Sequence, residues 1–283
     1  MSGKGGDSGR RCDPERPLCC RPFYDLDRPG VLALSVEGNE TRSVAVVVSS
    51  DVPKIRVFAY LLDTPFGLCS VFLSDHGIVA LEWGSLPEQV AGYQSRHPDE
   101  DLRVPEDLDP FHASILSRLD QWLAGPPCDP ESYDLPVVLR GTPFQQEVWR
   151  HVMGIKPGRV KSYGQIARDL GRPNAARAIG QALAANELGV LVPCHRVVSD
   201  RGHSRGFRWG EDLRSRLLLS EAKESVAALR EKILDFFNGD ESRCDAWFGE
   251  SNPMLGDQSP LDMVALGRID RLEKFVDQRL RES

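Results

Sequence analysis

The sequence predicts an α+β chain in three successive parts: a small sheet with one packed helix, a helix-turn-helix unit, and a helical tail. Three observations carry that expectation. The stretch "KIRVFAYLLDTPFGLCSVFLSDHGIVALEWG" holds three β-like runs, broken at Thr64-Pro65-Phe66-Gly67 and at Asp75-His76-Gly77. The stretch "KSYGQIARDLGRPNAARAIGQALAANELG" holds two short capped helical segments across a tight turn. After Glu221 the composition turns acidic and amphipathic helical periods take over.

Residues 1–54 read as an N-terminal extension, partly flexible. A polar, Gly- and Arg-rich start leads into "VLALSVEG" and "TRSVAVVVSS" on either side of Asn39-Glu40, the pattern of a hairpin. The first domain, 55–139, follows its three strands with a polar loop at 95–109. Its helix lies in "DPFHASILSRLDQWLAG", where Phe111, Ile115, Leu119 and Trp122 recur at helical spacing.

A second domain, 140–222, starts after the short strand predicted in "DLPVVLR". Thr142 caps its first helix, with Pro143 at the first position and Gln145 closing a capping box. Phe144, Val148, Trp149 and Val152 then form a core stripe. Ser162 and Gln165 repeat the box, Gly171 ends that helix in the left-handed region, and Asn174 caps the next, which runs to about Ala185. In the tail, 223–283, "SVAALREKILDFFNG" is a helix with Gly239 past its end. "DAWFGESNPMLGDQSP" reads as a turn-rich connector anchored by Trp247. Ser259, Pro260 and Asp262 open a short helix, and "IDRLEKFVDQRL" closes the chain as another.

Composition narrows the function classes. No apolar run approaches a membrane span, and the start lacks the apolar core of a signal peptide, so a cytoplasmic protein without membrane contact is expected. The seven cysteines are scattered and odd in number, which suits reduced thiols. Cys12, Cys19 and Cys20 have no matching second pair, so neither metal nor cofactor is expected. The net charge of −7 argues weakly against nucleic acid, but residues 140–222 hold 14 Lys/Arg against 7 Asp/Glu. Basic charge is concentrated where a phosphate-facing site would need it.

That same segment contains "LVPCHRVVSDRG", a cysteine beside a histidine in a run that otherwise reads as buried strand. Neighbours on a strand face opposite ways, so Cys194 and His195 share a pocket only if the chain bends, and Pro193 makes a bend. A nucleophilic thiol with His195 as its base, and a buried structural thiol, both fit these residues. The helix at 175–185 is smooth: Ala175, Ala176, Ala178, Gly180, Ala182, Ala184 and Ala185 surround a single long cation, Arg177. Such a surface suits close approach to a backbone or a minor groove, although alanines also simply favour helix.

Together, "RGTPFQQEVW", "SYGQIARDLGRPNAARAIGQALAAN", "PCHRVV" and "RSRLLLSEA", with "TPFG" and "GIVALEWG" before them, resemble the O6-alkylguanine-DNA alkyltransferase family over about 61–222. The resemblance implies a ribonuclease-like N-terminal α/β domain and a winged-helix-like helix-turn-helix domain. It also implies that an alkyl group passes irreversibly from O6 of a flipped guanine in double-stranded DNA to Cys194, once per molecule. His195 then resembles the base, acting through a bridging water, and Glu221 the acid that orients it. Tyr163 resembles the donor to the departing guanine, and Asn186 the residue tying the recognition helix to the cysteine loop.

Arg177 resembles the finger that fills the gap in the base stack, with Ala175, Ala176, Ala178, Gly180 and Arg196 completing a minor-groove surface. Val197, Phe207 and Trp209 resemble the substrate pocket, where Phe207 replaces the family's usual tyrosine. The tail pattern "W…NPMLGDQSPLDMVALG" resembles the toxin-binding domain of Xre/MbcA/ParS-type antitoxins over about 226–281, implying a toxin-like or self partner. The alternative is a DNA-binding adaptor or antitoxin-like regulator without transfer, which would have no need of Cys194, His195 and Glu221 together.

Overall fold

Strand pairing begins early. In the computed structural model, which describes residues 31–33, 45–47, 55–125, 130–199 and 206–282, β1 (Val31–Ala33) pairs antiparallel with β2 (Ala45–Val47). These are strands of the expected hairpin, whose turn at Asn39-Glu40 lies outside the described residues. The leader at 1–30 and the metal reading of Cys12, Cys19 and Cys20 lie outside the described residues.

The first domain is built on β3 (Arg56–Thr64), β4 (Gly67–Ser74) and β5 (Gly77–Trp83), joined antiparallel by the two predicted turns. Helix α1 (Leu86–Arg96) then crosses back, and β6 (Asp101–Arg103) adds parallel to β3, giving the order β5-β4-β3-β6. The polar loop expected at 95–109 therefore contains a strand. Helix α1 escaped the sequence reading because Tyr93 is its one buried residue, too little to make a stripe. Tyr93 stacks on Phe72, ring centroids 4.3 Å apart, and covers one face of the sheet.

The other face is covered by α2 (Pro110–Ala124), capped by Asp109. Ile115, Leu119 and Trp122 of its predicted stripe are buried, but Phe111 is exposed. The predicted strand "DLPVVLR" is an extended segment with one bridge, Ile78 to Val137. Pro136 has no N–H to give, so it pairs only through its carbonyl, which accepts from Ile78 N at 2.8 Å.

The second domain packs α3 (Pro143–Met153), α4 (Tyr163–Asp169) and α5 (Ala176–Ala184). Both predicted capping boxes form, at Thr142/Gln145 and Ser162/Gln165, and Gly171 has φ of +68°. Asn174 does not cap α5: Ala175 occupies the N-cap, without a side-chain bond. The run 191–198 is not a continuous strand either. It passes through 3₁₀ turns at Gly189–Leu191 and Cys194–Arg196, and only Val197–Val198 (β8) pairs, parallel to β7 (Lys161–Ser162). One buried cluster runs from Cys69 and Leu81 of the sheet through Trp149 and Ile166 to Leu217.

Helix α6 (Glu211–Glu221) meets α7 (Lys223–Phe236) at Ala222, and α8 (Glu241–Gly249), α9 (Pro260–Ala265) and α10 (Ile269–Glu282) complete the tail. Asp245–Gly249, expected in a connector, is thus helical, and its anchors are the buried Cys244 and Phe248 rather than the half-buried Trp247. The tail has its own core, including Leu229, Ile233, Val264, Leu272 and Val276. It also docks on the second domain. Gly267, at φ +71°, sits so close to Val160 that a Cβ would lie 2.6 Å from Val160 Cγ1. Beside it, Arg159 pairs with Asp270 and, at 3.3 Å, with Glu273.

Candidate functional site

The site is built around a turn, not a strand. Pro193 takes φ −74° and ψ 63°, and Cys194 N donates to Val192 O at 2.6 Å, closing an inverse γ-turn. The 3₁₀ turn that follows presents Cys194 half-buried at the surface of the core and turns His195 and Arg196 inward, where they are 1% and 3% exposed. Of the three described cysteines, Cys69 and Cys244 are buried, which leaves Cys194 the reachable one among them.

Asn186 ends the α5 segment and is buried. Its Nδ2 donates to Val192 O at 3.0 Å and to Cys194 Sγ at 3.4 Å, while its Oδ1 accepts from Leu188 N at 2.9 Å. The expected tie between helix and cysteine loop is therefore present in the geometry. Burial pushes the Cys194 thiol up to about 11, against the opposing pull of Asn186, Arg214 and Arg208. At neutral pH the resting sulfur keeps its proton, so any nucleophilic use requires a base.

The adjacent His195 is an imidazole held on one side only. Its Nε2 lies 2.7 Å from Glu221 Oε1, and its buried Nδ1 has no hydrogen-bond partner among the described residues. Burial holds the imidazole below its usual pKa, Glu221 opposes this, and Arg196 and Arg214 reinforce it. A neutral ring that donates from Nε2 leaves the lone pair on Nδ1. Burial alone would raise the Glu221 carboxyl, but His195 and Arg196 hold it at about 2.

Arg196 is a correction. Assigned to the DNA surface, it is instead turned inside, where its Nε and Nη2 donate to Glu221 at 2.8–3.1 Å and its Nη1 to Ile155 O. It has no reach to DNA; it neutralises a buried carboxylate. Gly158 N adds a further bond to Glu221 Oε2 at 3.1 Å. Arg214 donates to the His195 carbonyl at 3.2 Å. Sequence reasoning missed both Arg214 and Gly158. The available signal was spacing, since Arg214 and Glu221 stand two helical turns apart and share one face of α6.

Helix α5 turns Ile179, Ala182 and Leu183 into the core and leaves Arg177 exposed, with no partner among the described residues. Ala175, Ala176 and Ala178 are half-buried. Gly180 faces inward, where a Cβ would lie 3.8 Å from Tyr163 Cε1. The exposed polar residue one turn beyond Arg177 is Gln181, which sequence reasoning passed over. Phe207 and Trp209 meet edge to face, with centroids 5.3 Å apart, and pack on the same core as Cys194. Val197 is fully buried, so only its backbone can border a pocket.

The chain is similar to several known proteins. The family model described as "6-O-methylguanine DNA methyltransferase, DNA binding domain" matches residues 143–223. The bifunctional transcriptional activator/DNA repair enzyme Ada of Escherichia coli is 36% identical over 58% of this chain and 45% of its own length. The chain thus spans about half the length of that relative. A methylated-DNA–protein-cysteine methyltransferase of Shigella flexneri is 32% identical over 59% of this chain and 96% of its own. The crystal structure of Mycobacterium tuberculosis O6-methylguanine methyltransferase, 27% identical, aligns over 60% of this chain and 93% of its own with a TM-score of 0.46.

The buried pair fixes an acid-side stability profile. His195 is depressed below its ordinary 6.5, so its contribution is whole above that pH and is lost as pH falls through the lowered value. Glu221 is depressed from 4.5 to about 2, so its contribution is lost between those values. The melting temperature should therefore be level near neutrality, begin to fall below pH 6.5, and fall again below pH 4.5. Glu221→Gln should shrink the lower step and cost about 3–5 kcal/mol at neutral pH, because it leaves Arg196 buried without its counter-charge. Thermal melts of both proteins across pH 3–8 check this.

Proposed function

The chain belongs to the methylated-DNA–protein-cysteine methyltransferase family, and from that premise we propose that it repairs DNA by moving an alkyl group from O6 of guanine onto its own Cys194. The observation that carries this reading is the convergence of a reachable cysteine with a neutral, Glu221-bound histidine and an asparagine donor. In the proposed reaction the Cys194 proton passes through a bridging water to His195 Nδ1. The sulfur then attacks the alkyl carbon and forms a C–S bond as the C–O6 bond breaks. Guanine leaves with the electron pair, and Tyr163 donates a hydrogen bond or proton to it. A thioether has no good leaving group, so each molecule acts once.

The target base must be extruded from the duplex, which costs a few kcal/mol. We assign Arg177 to the gap it leaves, entering from the minor groove on the low surface made by Ala175, Ala176 and Ala178. Phe207 and Trp209 then border the guanine. The order β5-β4-β3-β6 supports the ribonuclease-like description of the first domain, and α3, α4 and α5 with the β7–β8 pair support the winged-helix-like description of the second. No described helix is long and apolar enough to cross a membrane, and the reading implies a cytoplasmic protein.

For the tail, the antitoxin-like pattern is the basis of a proposed protein partner through 223–283, and the exposed Phe236, Met254 and Leu261 support it. If the partner is a second copy, the full chain should sediment as a dimer and Phe236→Glu with Met254→Glu should return it to monomer. A chain monomeric throughout would exclude self-pairing.

The central experiment is an intact-mass measurement after incubation with duplex DNA carrying O6-methylguanine. One methyl group per chain is expected, on the peptide holding Cys194, and none with Cys194→Ala. Turnover beyond one equivalent, or a methyl on Cys69, would refute the assignment. In the same assay Arg177→Ala should slow transfer from duplex DNA about tenfold or more while leaving reaction with the free base nearly unchanged, as expected for a few kcal/mol of extrusion energy. Equal losses on both substrates would exclude the finger role.

A further inference from the structure

A second buried carboxylate, on the first domain, reaches the same site. Glu82 stands near the end of edge strand β5 and is 2% exposed. Nothing in a strand buried on both faces requires an acid there, yet three donors converge on it. Trp209 Nε1 donates to Oε2 at 2.7 Å, and Arg208 Nη2 lies 3.0 Å from Oε1. Arg96 of α1 lies 2.7 Å from the same Oε1, and its Nε donates to Glu187 at 2.6 Å. The backbone repeats the connection: Leu81 N, beside Glu82, donates to Glu187 O at 2.7 Å.

One end of this network reaches the amide that touches Cys194, and the other reaches the two rings that pack on the same core. Trp209 and Arg208 follow Phe207 directly, so fixing them fixes the ring that borders the pocket. Trp83, the neighbour of Glu82, meets Trp209 edge to face at 5.7 Å and limits its tilt. Glu187 follows Asn186, whose amide donates to Cys194 Sγ, and Arg208 Nη1 also reaches Asn186 O at 3.5 Å. One carboxylate of the sheet domain therefore holds the pocket wall and the amide behind the sulfur in one relation.

We propose that Glu82 is a positioning residue for the alkyl-acceptor site, setting the Phe207–Trp209 wall against Cys194 and thereby the size of alkyl group accepted. This rests on the reading of Cys194 as the acceptor. It gives the first domain, which supplies none of the proposed reacting groups, a direct part in selectivity. A large group such as benzyl must lie against the wall, whereas methyl barely reaches it, so a displaced wall changes the two rates unequally.

The test uses the full chain as wild type, Glu82→Gln, Trp209→Phe and the double variant. Single-turnover transfer to Cys194 is followed from duplex O6-methylguanine and from duplex O6-benzylguanine, beside the melting temperature. Glu82→Gln keeps the shape but loses the charge that Arg96 and Arg208 share; Trp209→Phe keeps a ring but loses the Nε1 donor. A hydrogen bond to a charged group corresponds to about a tenfold effect. Each variant should therefore shift the benzyl-to-methyl rate ratio by about tenfold, and the double variant no further than the larger single one. A ratio unchanged in both single variants, or rates on both substrates that fall together in step with melting temperature, would overturn the proposal. A wild type that transfers neither group overturns the acceptor reading, and this one with it. A wild type that transfers both, with unaltered variants, overturns this one alone.

Discussion

The carboxylate of Glu221 is the point on which the rest of the site depends. It closes α6, and its two oxygens accept from His195, from Arg196 and from the backbone N–H of Gly158. Those donors come from the 3₁₀ turn at Cys194–Arg196 and from the loop after α3, segments far apart in the chain. The other arm of Arg196 binds the Ile155 carbonyl, so the loop is held at two places. Removing two charges from water costs several kcal/mol each, and the mutual attraction offsets this only with good geometry. The cluster is therefore poorly explained as a source of stability. What it secures is orientation: an ionised acid at Nε2 favours one tautomer, and that tautomer leaves the lone pair on Nδ1.

Glu82 does for the pocket wall what Glu221 does for the base. Each carboxylate is buried and each is met by arginine, by Arg96 and Arg208 in one case and by Arg196 in the other. They differ in direction of strain. Burial dominates at Glu82 and raises its pKa, whereas at Glu221 the nearby cations prevail and lower it. A carboxylate that must keep its charge to fix a proton on histidine needs the second arrangement. One that only receives N–H donors from a wall can accept the first. The tail leans on the same framework, since Gly267 and Asp270 pack on Val160 and Arg159, next to Gly158.

Much of this was legible in the sequence wherever the rule was local. Capping boxes at Thr142, Ser162 and Ser259 depend on residues three apart, and all three form. The turns at Thr64–Gly67 and Asp75–Gly77 depend on four residues or fewer, and both join strands as expected. The meeting of Cys194, His195, Asn186 and Glu221 was legible only through family resemblance, because their separations follow no helical or strand period. Arg196 was misread for a related reason. An arginine beside a reactive pair looks like a phosphate ligand until the 3₁₀ turn is known to point it inward. Helix α1 and strand β6 were missed because a single buried tyrosine and three residues of strand leave no periodic trace.

The same burial alters how the charge of the second domain should be understood. Its net excess of seven positive charges is a count over sequence, and a count does not distinguish surface from interior. Arg196 and Arg214 are buried, Arg140 is bound to Glu100, and Arg208 is spent on Glu82. Arg159, Lys161 and Arg172 each face an acid on the surface. Among the described residues of this domain, Arg150, Lys156, Arg168 and Arg177 are left without an acidic partner. Arg216 is also partly exposed, 3.8 Å from Asp212, and Arg201 and Arg205 of this domain lie outside the described residues. Under the proposed reading, close fit adds to what the surface charges supply, and a helix surfaced with alanine and carrying one long arginine permits it. The smoothness of α5 and the inward use of arginine are then compatible features of one arrangement: part of the charge builds the site, and shape stays available at the surface.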